Sequence, residues 1–94
     1  MGLLEGKTAI ITGGATGIGR GIARAYAREG ATLVLASRKR DNLEATASEF
    51  RSEYGATVLA VPTDATVESD VTDLFARATK ELGRLDVLVN NAGT

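Results

Sequence analysis

Short apolar runs alternate with stripes of helical spacing along the whole chain. Residues 7–12 (KTAIIT) form an apolar run rich in β-branched side chains, the pattern of a buried strand. Beyond a glycine-rich stretch, Ile18, Ile22, Ala25, Tyr26 and Glu29 fall near helical spacing, with Arg20, Arg24 and Arg28 on another face. This predicts an amphipathic helix, stopped by Gly30 in the C′ position. Residues 32–37 (TLVLAS) read as a second strand. Asp41 then stands as a helix cap with Glu44 three residues on, as in a capping box. Leu43, Ala47, Phe50 and Tyr54 make the stripe of that helix, and Gly55 ends it. Residues 57–63 (TVLAVPT) read as a third strand, whose Pro62 is tolerable near a terminus. Thr66 is placed as the cap of a third helix striped by Val67, Val71, Leu74, Phe75, Ala78 and Leu82 and ended by Gly83. Residues 86–89 (DVLV) read as a fourth strand, followed by NNAGT.

The pattern is β-α-β-α-β-α-β, with helices of about four turns. Regular alternation puts the chain in the α/β class and implies a parallel sheet with right-handed crossovers. No low-complexity segment, linker or repeat interrupts it.

Composition narrows the chemistry. The 94 residues suggest one domain at most, with a core that buries roughly 60–65% of the unfolded surface. A net charge of −1 offers no field for nucleic acid or an anionic membrane. There is no cysteine and no histidine, which removes disulfides, thiol nucleophiles, the usual zinc ligands and histidine as a general base. No metal site is expected. A chain without cysteine fits a reducing cytosol, so a cytoplasmic location is expected. The first residues lack the pattern of a secretory leader or a myristoylation signal, and no apolar run is long enough to span a membrane.

The stretch ITGGATGIGRGI (residues 11–22) holds five glycines in twelve positions. It lies where a strand hands over to a helix, whose free N–H groups and positive dipole end favour an anion, usually phosphate. A Walker A loop has the right spacing in Gly14 and Gly19, but Arg20 and Gly21 stand where Lys and Ser or Thr are needed. The G-x-G-x-x-G fingerprint also fails, because Gly17 and Gly19 are followed at its last place by Ile22. What fits is Thr12-Gly13-x-x-x-Gly17-x-Gly19. This resembles the T-G-x-x-x-G-x-G motif of the short-chain dehydrogenase/reductase family. Asn90-Asn91-Ala92-Gly93 is similar to that family's N-N-A-G after its fourth strand, and Asp64 stands where the family places an Asp near the adenine. The three occur in family order, and the likeness extends from about Lys7 to Thr94.

The resemblance implies a Rossmann-like, doubly wound parallel sheet of strand order 3-2-1-4. It also implies site roles. The backbone of residues 13–19, including Gly13, Thr16, Gly17 and Gly19, faces the cofactor phosphates and ribose, with Ile18 close by. Asp64 and the Ala65 backbone flank the adenine. Asn91, Ala92 and Gly93 pass the second ribose, and Asn90 braces the sheet.

At the end of strand 2, dinucleotide folds place an acid on the ribose hydroxyls. Here Ser37 and Arg38 stand there, followed by Lys39 and Arg40. A carboxylate would repel a 2′-phosphate, whereas a hydroxyl and a guanidinium would bind it through charge-assisted hydrogen bonds. NADP(H) is therefore expected in preference to NAD(H), and the resemblance implies the same.

The family's catalytic Ser and Tyr-x-x-x-Lys follow N-N-A-G. Tyr26 is followed four residues on by Gly30 and Tyr54 by Val58, so both tyrosines read as core and no catalytic side chain is assigned. With order 3-2-1-4, one helix faces four strands on one side and strand 4 becomes an edge, which leaves apolar surface open and invites pairing. Residues 1–94 are thus expected to be the amino-terminal part of a single NADP-binding domain, cut after strand 4, or a member of an obligate assembly. Three readings stand: the cofactor half of an oxidoreductase acting on a small carbonyl, alcohol or enoyl substrate; a non-catalytic nucleotide-binding module; and a structural fragment that associates, as a homo-oligomer or through its edge.

Overall fold

The structure, a computed structural model, describes residues 4–13, 17–38, 40–64, 66–83 and 85–90. The elements run β1 (Thr8–Thr12), α1 (Gly17–Arg28), β2 (Thr32–Ser37), α2 (Arg40–Tyr54), β3 (Val58–Pro62), α3 (Glu68–Leu82) and β4 (Val87–Asn90). The four strands form one parallel sheet in the order β3-β2-β1-β4. The expected class, alternation and order are those observed.

Strand alternation divides the core into two layers. Ala9, Ile11, Leu33, Leu35, Val58 and Ala60 meet Ala23 and Ala27 of α1 and Leu43, Ala47 and Phe50 of α2. On the other face Ile10, Val34, Ala36 and Val61 meet Leu74 and Ala78 of α3. Phe50 is fully buried. The guanidinium groups of Arg20 and Arg24 each lie 5.9 Å from its ring centroid. Both also bind the Glu49 carboxylate, Arg24 at 3.0 Å, and so tie α1 to α2. Tyr54 is half-buried with its ring centroid 6.0 Å from that of Phe50, and Tyr26 packs against the same layer, as a core reading of both tyrosines requires.

Three expectations change in detail. The buried face of α1 is Gly19, Ala23 and Ala27; of the expected stripe, Ile22 and Tyr26 pack half-buried against the same core, whereas Ile18 is 75% exposed and Ala25 is exposed. Small residues win this face because they let the helix approach the sheet closely. α2 begins at Arg40, so Asp41 falls inside its first turn and not at the cap position, and its side chain lies outside the described residues. Thr66 does not cap α3: Val67 occupies that position without a side-chain cap, and the Thr66 hydroxyl is spent on Asp64.

The helix ends follow the glycines. At the end of α1 the Gly30 N–H donates to Ala27 O and the Ala31 N–H to Tyr26 O, a Schellman pair that Gly30 permits at φ +90°. The turn at residues 4–6 is laid on this corner: the Leu4 N–H donates to Glu29 O at 2.8 Å. A Cβ on Gly30 would lie 2.6 Å from Glu5 Cγ. Among the described strand residues, the apolar surface expected to stay open opposite α1 and α2 is most exposed on β4. Leu88, in register with buried Ile10, is 50% exposed, while Ile10, Val34, Ala36 and Val61 are covered.

Candidate functional site

Parallel pairing brings all four strands to their carboxyl ends along one edge. Thr12 is in register with Ala36 on one side and Asn90 on the other, and Ser37 with Pro62. Residues following the strands therefore line up although they are far apart in sequence. Adjacent strands are about 4.8 Å apart, so the ends of β1, β2 and β3 span roughly 10 Å. Strand order reverses between β1 and β4, and such a switch point opens a crevice at the carboxyl edge of α/β sheets.

At β1 the chain turns at Gly13, whose N–H donates to Ala36 O at 2.7 Å with φ +67°. Gly17 opens α1 at φ +56°, a left-handed backbone that a side chain would strain. A Cβ there would meet nothing within 4 Å. Gly19 is buried and begins the small-residue face of α1. Ile18 projects outward beside it. The Thr12 hydroxyl donates to Val89 O at 3.3 Å and clasps β1 to β4 just below the loop.

At β2 the half-buried Ser37 accepts the Thr63 N–H on its carbonyl at 2.8 Å, and Arg38 beyond it is exposed. At β3 the chain passes buried Thr63 into Asp64. Asp64 Oδ1 accepts from the Thr66 N–H at 2.9 Å and from the Thr66 hydroxyl at 2.6 Å. Its own N–H donates to Asp70 Oδ2, also at 2.9 Å. The hydroxyl of Thr66, then its N–H, hold the Asp64 carboxyl below its ordinary value of 3.8, and the Arg38 guanidinium adds to this through its charge.

Of the expected site residues, Gly13, Gly17, Ile18, Gly19, Ser37, Arg38 and Asp64 lie among the described residues. The structure brings Gly13, Gly17, Ser37, Arg38 and Asp64 to one edge. Thr16, Ala65, Asn91, Ala92 and Gly93 lie outside the described residues, as does the side chain of Asn90. Sequence reasoning missed the partnership of Thr66 and Asp70 with Asp64. Its signal was the Asp-x-Thr spacing of an Asx turn, in which a side-chain oxygen accepts the N–H two residues on. Among the described residues no cluster of acids could hold a metal ion, and no helix is long and apolar enough to cross a membrane.

A model of the short chain dehydrogenase family matches residues 7–94. The chain belongs to the short-chain dehydrogenase family. This family of oxidoreductases includes a 12alpha-hydroxysteroid dehydrogenase of a Clostridium species, which is 46% identical over 98% of this chain and 38% of its own length. The L-sorbose reductase of Gluconobacter frateurii, solved with NADPH and L-sorbose, superposes with a TM-score of 0.94 at 40% identity. That match covers 100% of this chain and 35% of the reductase. A 7α-hydroxysteroid dehydrogenase solved with NADH and 7-oxo glycochenodeoxycholic acid superposes with a TM-score of 0.92 at 38% identity, over 97% of this chain and 35% of that one. Both solved short-chain dehydrogenases thus hold a nicotinamide cofactor, one with the 2′-phosphate and one without. The chain spans little more than a third of the length of these relatives.

Proposed function

We propose that this chain is the cofactor-binding part of an NADP(H)-dependent short-chain dehydrogenase that moves hydride between the nicotinamide and a small carbonyl, alcohol or enoyl substrate. The observation that carries the reading is the line of residues on the carboxyl edge of the sheet: a glycine turn opening a helix, a Ser37–Arg38 pair at β2, and Asp64 at β3. The residues fit the group. Gly17, with no side chain and nothing within 4 Å of an added Cβ, opens a helix whose N–H groups and dipole favour an anion such as a phosphate. Ser37 and Arg38 supply a hydroxyl and a guanidinium for a 2′-phosphate, and β2 ends without a carboxylate to repel it. Asp64, with the Ala65 backbone, borders the adenine, while Thr16 joins the phosphate loop and Asn91, Ala92 and Gly93 pass the second ribose. When bound, the nicotinamide supplies or accepts the hydride.

Residues 1–94 are read as the amino-terminal part of one domain in a longer cytoplasmic enzyme, which supplies the Ser and the Tyr-x-x-x-Lys. The chain's share of its relatives' length supports this. Exposed Leu88 on β4 supports association of that strand with further sheet or with a second copy.

The test is a fluorescence titration with NADPH and with NADH, run beside an intact-mass measurement. Saturable binding with NADPH tighter than NADH is expected. Absence of binding to either sinks the nucleotide reading, and equal affinity sinks the NADP preference.

A further inference from the structure

Asp64 is held at both its side chain and its backbone. Two donors from Thr66, its N–H at 2.9 Å and its hydroxyl at 2.6 Å, converge on the single oxygen Oδ1. Two bonds on one oxygen fix the carboxylate about its terminal torsion, which is otherwise broad. The backbone of Asp64 donates to Asp70 Oδ2 in the first turn of α3, and the Val67 N–H returns to Asp64 O at 3.0 Å. The anchor is thus the start of a helix whose Leu74 and Ala78 are buried in the core. Among the described residues no donor is placed on the second oxygen, Oδ2.

We propose that Thr66 is a positioning residue of the nucleotide site: it holds the Asp64 carboxylate in one orientation, so that Oδ2 is presented to a hydrogen-bond donor of the bound nucleotide. The inference rests on the nucleotide reading above. It assigns the Thr66 hydroxyl a task other than helix capping, which the geometry gives to no side chain. Among the described residues two other charged groups bear on Asp64. Arg38 at the end of β2 acts through its charge, and Asp70 on α3 lies on the Asp64 backbone N–H. Neither donates to the carboxylate in this structure, so orientation depends on Thr66. A freely turning carboxylate would have to be ordered by the ligand at each binding event, and preorganisation removes that cost.

Thr66→Val keeps the N–H and the shape and removes the hydroxyl; Thr66→Ser keeps both donors. Two readouts are compared in wild type and both variants. One is the pH titration of the Asp64 carboxyl carbon by NMR without ligand. The other is NADPH affinity by fluorescence between pH 4 and pH 8. In Thr66→Val the Asp64 carboxyl should titrate at higher pH. NADPH affinity should fall roughly threefold to tenfold, the size of one hydrogen bond, with its acid limb moved to higher pH. Thr66→Ser should restore both. An Asp64 titration unchanged in Thr66→Val overturns the proposal, and so does a moved titration with unchanged affinity. If wild type binds no NADPH while the carboxyl responds as expected, the nucleotide reading has failed and takes the positioning role with it.

Discussion

Thr8 and Asp86 are joined twice across the amino end of the sheet. The Thr8 N–H donates to Asp86 Oδ2 at 2.8 Å, and the Asp86 N–H donates to Thr8 O at 2.9 Å. The pair sets where β4 begins against β1, and the register that follows places Asn90 beside Thr12 at the opposite end. Asp86→Ala leaves the Thr8 N–H without this acceptor and should cost about 1 kcal/mol of stability, the net size of a part-buried hydrogen bond. Asp86→Asn keeps an oxygen and should recover most of it. Urea unfolding at constant m-value checks both; an unchanged midpoint in the alanine variant would mean that apolar pairing alone sets the register.

Two glycines of the loop region should respond in opposite directions. Gly17 sits at φ +56°, and alanine there should cost roughly 1–2 kcal/mol through backbone strain. Gly21 lies inside α1 with ordinary helical backbone and nothing within 4 Å of an added Cβ. Gly21→Ala should stabilise the fold by about 0.5–1 kcal/mol. Thermal unfolding of the two variants side by side is the measurement, and shifts of the same sign would contradict this backbone argument.

Arg38→Asp tests the assignment of the β2 end. Replacing a guanidinium by a carboxylate should weaken NADPH binding by roughly tenfold or more while leaving NADH within a factor of about three. Paired titrations decide it: an equal loss for both cofactors removes the 2′-phosphate from this residue.

The carboxyl of Asp64 gives the fold a defined acid dependence. Its value in the folded protein is lowered from 3.8, by the Thr66 hydroxyl first and then by the Thr66 N–H. A lowered folded value means that its stabilisation is fully present above the unfolded value and is lost as pH falls through the folded one. Asp64→Asn should therefore narrow the difference in unfolding midpoint between pH 5 and pH 2. A difference unchanged by the substitution would place the acid sensitivity elsewhere.

The β/α alternation was legible because each strand is a short run of β-branched or aliphatic residues and each helix closes on a glycine. Gly30, Gly55 and Gly83 all take positive φ where a stop was read. The inward face of α1 was legible from hydrophobicity only at Ile22 and Tyr26, which flank it half-buried. Ranking by apolarity selects Ile18, whereas packing against β1 and β2 selects Gly19, Ala23 and Ala27 for their small size. The cap at Thr66 failed for a local reason: its hydroxyl finds the Asp64 carboxylate before any amide of α3, and a charged acceptor makes the stronger bond. At the site, the spacing of Gly13, Ser37, Arg38 and Asp64 on one edge followed from strand order alone. The hold of Thr66 on Asp64 was open to reading from the Asp-x-Thr spacing, whereas that of Asp70 was not, because it joins a turn to the flank of a helix.

The turn at residues 4–6, stitched to Glu29 and packed beneath Gly30, lies at the pole of the sheet where the strands start. The candidate site lies at the pole where they finish, roughly 16 Å away along a five-residue strand. A dye, an affinity handle or a surface linker attached near this turn would therefore stand at the opposite pole from Gly13, Arg38 and Asp64, and the chain could be immobilised by that pole for cofactor-binding measurements without masking the face under test.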